Sequence, residues 1–178
     1  MADAEEKKTL AELETEVDEE GDGKALVRAT STIFGGRTEA RATKKFLSSK
    51  KRVEFYVWAR DLPYAPGSTI PIQVSIKNTS EKQVRSIMAT LQTKEGVAEK
   101  GKKLEPLQTG KKEEWFQGSR FPLDGYTDYD GSVTYQLPRT LPSSSESITH
   151  EILFQFDVKG FTGWTKVFAP LVITVKKI

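Results

Sequence analysis

Alternation of apolar and polar residues after residue 53 constrains the fold of this chain more than any other feature. In the clearest stretch, Ile152, Phe154, Phe156 and Val158 occupy every second position, which is the period of a β-strand with one buried face. The same pattern predicts strands over residues 53–58, 70–76, 84–91, 115–123, 131–137, 148–158 and 164–175. No long helical period interrupts them. The sequence therefore predicts an all-β fold, an antiparallel β-sandwich with immunoglobulin-like dimensions.

Short turn segments separate the predicted strands. Pro66-Gly67 marks a turn, because proline presets φ and glycine accepts positive φ. The polar run Asn78–Glu81 separates the strands over 70–76 and 84–91, and we expect these two strands to form a hairpin. Residues 93–113 are rich in glycine and lysine, which predicts either a long exposed loop or weak strand edges.

The first third of the chain is divided by charge. Residues 1–23 hold ten acidic and two basic side chains, whereas residues 24–60 hold ten basic and two acidic ones. The near-neutral net charge of +2 hides this polarity. The sequence predicts a charged, partly flexible N-terminal extension over residues 1–52, acidic over 1–23 and basic over 24–52. A sandwich domain is predicted over residues 53–178.

Composition excludes several classes of protein. The chain has no cysteine and one histidine, which removes disulfide scaffolds, thiolate metal sites and cysteine nucleophiles. It lacks an apolar run long enough to span a bilayer, and its start has no signal-peptide pattern. We therefore expect a cytoplasmic, non-enzymatic protein with no cofactor and no metal.

Several segments, in order along the chain, resemble the arrestin family. Tyr64–Ile72 is similar to the Y-x-P-G-E-x-I turn that opens an arrestin C-terminal-like domain, and Val74–Ser80 is similar to the strand and N-x-S turn that follow it. Val133–Pro142 resembles the Y-x-L-P-x-x-L-P passage of the family, and Ile148–Ile152 with Ala169–Ile173 resembles its close.

The resemblance spans residues 53–178 and implies an arrestin-like sandwich that acts as an adaptor or scaffold. Two positions depart from the family pattern, since Ser68 stands where an acidic residue is usual and His150 where an aromatic one is usual. Family members carry two such sandwiches in tandem, whereas this chain has room for one. A function that needs a groove between two domains is therefore not expected, and the chain has no PPxY motif.

Two groups of extension residues are candidates for partner binding. The spacing of Leu10, Leu13 and Val17 predicts a disordered segment that becomes a short helix and docks on a partner. The basic residues are expected to meet anionic lipid or phosphorylated peptide, or to fold back on the acidic residues as an internal latch. The basic candidates are Lys44, Lys45, Lys50, Lys51 and Arg52. Nucleic acid is not expected, because aromatic residues do not interleave with the basic ones in the sequence.

Three other features of the sequence invite a functional interpretation. Asp124, Asp128 and Asp130 cluster in one turn, but the spacing fails the EF-hand pattern, so a solvated turn is favoured over a calcium site. Tyr126 and Tyr129 in the same turn are candidate partner contacts. Ser143–Ser145 lack a neighbouring base that would make them catalytic.

We expect a protein-interaction module that serves as an adaptor or scaffold in intracellular trafficking or signalling. Its partners would be proteins, including cytoplasmic segments of membrane proteins. A self-assembling protein that uses strand edges and a module that binds anionic membrane surfaces are the alternatives.

Overall fold

The computed structural model describes residues 7–19, 23–46, 50–97, 99, 103–115, 121–160 and 163–178. Within these residues the secondary structure is entirely β, and no helix of a length and apolarity that would cross a membrane is found there. The strands are β1 (Lys8–Glu19), β2 (Gly23–Phe34), β3 (Arg37–Phe46), β4 (Arg52–Arg60), β5 (Pro63–Tyr64), β6 (Thr69–Asn78), β7 (Val84–Glu95), β8 (Pro106–Trp115), β9 (Tyr129–Gln136), β10 (Ile148–Lys159) and β11 (Trp164–Val175).

These strands form two sheets that pack face to face. The six-stranded sheet has the order β1-β2-β3-β4-β6-β9, and the five-stranded sheet has the order β5-β11-β10-β7-β8. All neighbours are antiparallel except the short parallel pair of β5 and β11. Phe55 of one sheet stacks on Phe156 of the other with ring centroids 4.2 Å apart. The predicted β-sandwich is confirmed.

The predicted hairpin of β6 and β7 is wrong, because the two strands belong to different sheets. The Asn78 Oδ1 atom accepts hydrogen bonds from the Ser80 backbone N–H and hydroxyl, and Asn78 Nδ2 donates to the Lys82 carbonyl at 2.7 Å. These bonds hold a turn that carries the chain from one sheet to the other. Strand pattern alone does not distinguish such a crossing from a hairpin.

Much of the predicted extension is built into the sandwich. β3 pairs with β4 over nine positions, from Arg37 opposite Arg60 to Lys45 opposite Arg52, and Ala29, Ala40 and Ala42 are buried in the core. Small side chains let β2 and β3 approach β11, where the Ser31 hydroxyl donates to the Pro170 carbonyl and the Thr38 hydroxyl to the Val172 carbonyl, each at 2.5 Å. The sheet continues without a break across residue 52.

The N-terminal segment around Leu10, Leu13 and Val17 was predicted to be disordered until it forms a helix on a partner, but in this chain by itself most of it is a strand. Residues 8–19 form β1, which pairs antiparallel with β2. The register places Leu13 opposite Ala29 and Val17 opposite Ala25, while Leu10 lies in a bulge. From Glu12 to Asp18, acidic residues alternate with other residues. This period of two is the period of a β-strand, so it is compatible with pairing to β2. Three apolar residues at helical spacing do not outweigh that pairing.

Residues 93–113 extend β7 and supply most of β8, an edge strand. The pairing of β8 with β7 is regular at both ends, but three residues of β8 lie opposite Leu91 alone, between Thr90 opposite Lys112 and Gln92 opposite Gln108. The predicted strand over 115–123 crosses residues 116–120, which lie outside the described residues. Of its ends, Trp115 closes β8 and Leu123 forms an isolated bridge with Val84.

The one histidine packs in the interior as part of a polar chain. The Pro142 carbonyl lies 2.8 Å from His150 Nε2 and can only accept, so Nε2 carries the proton. Nδ1 then accepts from the Thr93 hydroxyl at 2.9 Å, and Thr93 accepts from Thr109 at 2.8 Å. Burial lowers the pKa of His150. This neutral ring is satisfied on both sides and links β8, β7, β10 and the loop at Pro142.

Candidate partner-binding surface

The outer surface of the six-stranded sheet collects basic side chains from four adjacent strands. Cross-strand rows bring them together: Arg41 of β3 lies opposite Tyr56 of β4, and Tyr56 opposite Ser75 of β6. In the next row Glu54 of β4 lies opposite Lys77 of β6. We call this surface the basic face; its exposed cations are Arg28, Arg37, Arg41, Lys45, Arg52 and Lys77.

Aromatic rings support the arginines of the basic face. The Arg37 guanidinium lies 3.9 Å from the ring centroid of Trp58, and that of Arg41 lies 4.1 Å from Tyr56. The Tyr56 hydroxyl donates to Glu39 at 2.7 Å, and burial, followed by this bond, raises the pKa of Tyr56. Each cation–π contact at an exposed site contributes about 0.5–1 kcal/mol. The rings therefore hold two flexible cations in fixed positions.

Sequence reasoning missed this arrangement, because the aromatic residues belong to a different strand from the arginines they support. Tyr56 is fifteen positions from Arg41 in the chain but its cross-strand neighbour in the sheet. Finding it would have required the pairing register of β3 and β4. In the hairpin, Arg37 lies opposite Arg60, and this register brings the basic side chains of β3 beside the aromatic side chains of β4.

A shallow depression of about 510 Å³ lies within the basic face. Three cations border it, Arg41, Arg52 and Lys77, together with one carboxylate, Glu54. Arg52 Nε is 3.4 Å from Glu54 Oε1, and Arg41 Nε is 4.0 Å from Glu39 Oε2, so two carboxylates offset part of the positive charge. The three cations outnumber these carboxylates by one, and the remaining charge favours an anion. The neutral lining groups are Thr43, Phe55, Tyr56 and Ser75. Arginines and hydroxyls are donors suited to carboxylate and other oxyanion ligands.

The loops at one end of the sandwich bring together two residues that the sequence singled out. Lys51 Nζ donates to Tyr126 Oη at 2.8 Å and to Glu81 Oε2 at 2.9 Å. These bonds raise the pKa of Lys51, and the bond from Lys51 lowers the pKa of Glu81. Tyr126 has a φ of 59° and its N–H donates to the Ser80 carbonyl. Tyr126 as a residue remains 62% exposed, so it is accessible to a partner.

The other predicted site residues separate into exposed and buried ones. Lys45, Lys50 and Arg52, which the sequence predicts as partner-binding cations, are exposed. Lys44 is buried, with Nζ 5.1 Å from the ring centroid of Phe46, so its prediction as a surface cation is corrected. Tyr129 is half-buried and meets Phe121 edge-on at 5.0 Å.

Strand alternation explains the burial of Lys44. Its neighbours on the same parity, Ala42 and Phe46, point into the core, whereas Arg41 and Lys45 on the other parity face solvent. A run of two lysines on a strand therefore places one on each side of the sheet. Only Lys45 of this pair contributes to the basic face.

The acidic N-terminal segment lies beside the basic face. β1 pairs with β2 along its length, and Glu12 Oε1 is 4.0 Å from Arg28 Nε. Exposed pairs at this distance are worth about 0–1 kcal/mol. The acidic and basic segments therefore lie as adjacent strands of one sheet, whereas an internal latch formed by Lys45, Lys50, Lys51 and Arg52 stays a prediction.

The carboxylates of the turn that contains Asp124 and Asp128 accept hydrogen bonds that hold the neighbouring loops together. Asp128 Oδ1 accepts from the Asn78 N–H at 3.1 Å, and Asp124 Oδ1 accepts from Gln83 Nε2 at 3.0 Å. Among the residues that the structure describes, no three acidic or histidine side chains are grouped as metal ligands would be. Ser143 and Ser144 hydroxyls accept from backbone N–H groups of Lys177 and Val175, which ties this loop to β11.

Comparison with known protein families identifies the sandwich. The family model for the C-terminal domain of arrestin (or S-antigen) matches residues 49–177. The chain belongs to the arrestin C-terminal domain family. Arrestin-like domains are generally non-enzymatic and bind protein partners. The match begins three residues before β4, so β1, β2 and β3 precede it.

Two solved structures are similar to the chain at low sequence identity. Spo0M, a sporulation control protein from Bacillus subtilis, is 16% identical with a TM-score of 0.47 over 71% of this chain and 49% of its own. A Niemann-Pick type C2 protein from Japanese carpenter ant is 14% identical with a TM-score of 0.39 over 64% of this chain and 79% of its own. The chain spans about half the length of Spo0M. A search of curated proteins found no match.

Proposed function

We propose that this arrestin-like chain is a non-enzymatic adaptor or scaffold that binds an acidic segment of a protein partner on its basic face. The observation that carries the proposal is the convergence of Arg41, Arg52 and Lys77 on one depression of the six-stranded sheet. Intracellular trafficking or signalling in the cytoplasm is the setting that the family membership supports, and the cytoplasmic segment of a membrane protein is a suitable partner.

The chemistry of the basic face favours a peptide over a nucleic acid. Arg37 and Arg41 cover faces of Trp58 and Tyr56, so those ring faces are occupied, whereas single-stranded nucleic acid binds by stacking on open aromatic rings. The lining also includes a carboxylate, Glu54, which repels a continuous phosphate backbone. Spaced carboxylates of a peptide can avoid that position.

Charge reversal tests the proposal. The variant R41E/R52E/K77E inverts the three cations, and K166E/K176E/K177E is the matched control, since it makes the same change in net charge at exposed lysines elsewhere. The probe is a fluorescent peptide of alternating glutamate and serine. We expect R41E/R52E/K77E to weaken binding at least about tenfold, or about 1.4 kcal/mol. The control should bind within about twofold of the wild type, and added salt should weaken the wild-type complex.

Two outcomes would contradict the proposal. Equal losses in both triple variants would mean that the peptide senses net charge and not the depression. Binding to vesicles of phosphatidylcholine and phosphatidylserine in the absence of peptide binding would favour the membrane-surface alternative. Proximity labelling in cells with the same variants then tests whether the proteins lost from R41E/R52E/K77E carry acidic cytoplasmic segments.

A further inference from the structure

We propose that the free edge of β9 binds an extended segment of a partner protein as an added β-strand. This surface is separate from the depression of the basic face, and the inference goes beyond the proposed function by supplying a second docking surface, as an adaptor requires. β9 is the last strand of the six-stranded sheet and pairs with β6 on one side. Its other side is open in the described part of the chain.

The hydrogen bonds between β6 and β9 show which main-chain groups of β9 point toward β6 and which point away from it. The Leu137 N–H donates to the Ser68 carbonyl at 2.9 Å, so odd-numbered residues of this segment face β6. At the other end the Asn78 N–H points to Asp128, which places even-numbered residues of β6 toward β9 and agrees with the same phase. The outward backbone groups are therefore those of Asp130, Ser132, Thr134 and Gln136.

The other sheet edges carry features that block strand addition, and β9 does not. β1 has a bulge and a row of acidic residues, and β5 is two residues long. Next to β5, the Ser31 and Thr38 hydroxyls occupy carbonyls of β11. β8 has proline at its start, two adjacent lysines and an irregular register. β9 has eight residues with one charge, Asp130, and neither proline nor lysine. Such an edge is a template for another strand.

A groove of about 730 Å³ lies at the C-terminal end of this edge, between β8 and the segment in which β9 ends. Its walls are Gln108–Lys111 and Glu113 on one side and Gln136–Pro138 on the other. The irregular register of β8 shapes it: the Leu91 N–H donates to Tyr135 Oη at 3.1 Å, and the Tyr135 hydroxyl donates to the Lys111 carbonyl at 2.5 Å. Gly110 is required there, since a Cβ would lie 2.6 Å from Tyr135 Oη.

The groove and the edge together specify the partner segment. Successive side chains of an added strand point to opposite sides, so one set enters the groove beside Leu137, Pro138 and Gly110, and the other lies beside Ser132 and Thr134 on the outer face. We infer an extended segment with small apolar residues at alternate positions and polar residues between them. As in other cases of β-strand addition, main-chain hydrogen bonds would provide the affinity, and the groove would provide the specificity for particular side chains of the partner segment.

Amide hydrogen exchange with a selected peptide tests the inference. Peptides are selected from a random displayed library on the full chain, and one of them is synthesised as the probe. We expect alternating apolar residues in the selected sequences and slower exchange at the Ser132, Thr134 and Gln136 amides in the complex. Ser132→Lys and Thr134→Pro should each weaken binding at least tenfold, because one charges the edge and the other removes an outward N–H. Thermal melting shows whether each variant is folded.

Ser147→Lys is the matched control and should bind like the wild type, since Ser147 is exposed in another loop. R41E/R52E/K77E should also retain the peptide, which separates this surface from the basic face. Wild-type affinity in both edge variants, or loss in R41E/R52E/K77E, would overturn the inference. So would exchange protection of β9 that depends on protein concentration without peptide, because a second copy would then occupy the edge.

Discussion

At the scale of single residues, the side of the sheet on which a residue lies determines its role. Lys44 and Lys45 are adjacent in the sequence, yet one is buried beside Phe46 and the other is exposed on the basic face. His150 has the parity of the core residues Ile152 and Phe154, and its ring nitrogens find partners on Thr93 and Pro142. A buried polar group needs such partners, because leaving one unpaired costs about 1–3 kcal/mol.

The pH dependence of stability follows from His150. Its pKa in the folded chain is lowered from 6.5, so the unfolded chain binds more protons just below pH 6.5 and folding stability rises with pH there. The contribution of the neutral ring is complete above about pH 6.5 and is lost as pH falls toward the folded pKa. We expect urea midpoints to fall between pH 7 and pH 5 in the wild type and to change less in His150→Gln.

The attribution to His150 is direct, because it is the only histidine of the chain and no other side chain type ordinarily titrates in this window. His150→Gln should also be less stable at pH 7, since a flexible amide does not reproduce both ring hydrogen bonds. A pH slope of the same size in His150→Gln and wild type would contradict this account.

At the scale of elements, hydroxyl side chains of β2 and β3 close an edge that backbone pairing leaves open. β11 pairs with β5 only at Thr174 and Val175, and the Pro170 and Val172 carbonyls accept from Ser31 and Thr38 instead. Alanines beside these residues allow the approach. β2 and β3 therefore belong to the packing of the sandwich and not only to its periphery.

Removing both hydroxyls should destabilise the fold measurably. In S31A/T38A the two carbonyls of β11 lose their donors, and each lost bond costs about 0.5–1.5 kcal/mol. We expect a loss of about 1–3 kcal/mol in the free energy of unfolding, measured by urea denaturation. Thr134→Ala, at an exposed strand position, is the control and should unfold near the wild-type midpoint. An unchanged midpoint in S31A/T38A would mean that β2 and β3 are held by other contacts.

At the scale of the whole molecule, charge is arranged across one continuous sheet. Acidic β1 lies at one edge, the basic face occupies β2, β3, β4 and β6, and the edge of β9, whose one charged residue is Asp130, lies at the other end. The net charge of +2 is thus the sum of the charges of separate acidic and basic surfaces. A partner that binds one of these surfaces experiences the local charge there and not the net charge.

Deleting residues 1–22 should strengthen binding of the acidic peptide probe. The deletion removes ten acidic and two basic side chains, so the net charge rises from +2 to +10, and Glu12 no longer lies near Arg28. We expect tighter binding with a steeper salt dependence, measured by fluorescence anisotropy. Circular dichroism establishes that the shortened chain is folded. Unchanged affinity in a folded variant would mean that β1 does not influence the basic face.

The sequence by itself determined the all-β class, the positions of the strands β4, β6, β7, β9, β10 and β11 and the family resemblance, because period-two alternation and turn residues act over short stretches of chain. It also located the charged segments, and it singled out Lys51 and Tyr126 as candidate partner contacts, which the structure shows to be hydrogen-bonded to each other. Only the tertiary structure decided that β6 and β7 belong to different sheets and that Lys44 is buried. The contact of the Arg41 guanidinium with the ring of Tyr56 likewise depends on the tertiary structure. These features depend on which distant strands pair and in what register, and that choice is made by packing between segments far apart in the chain.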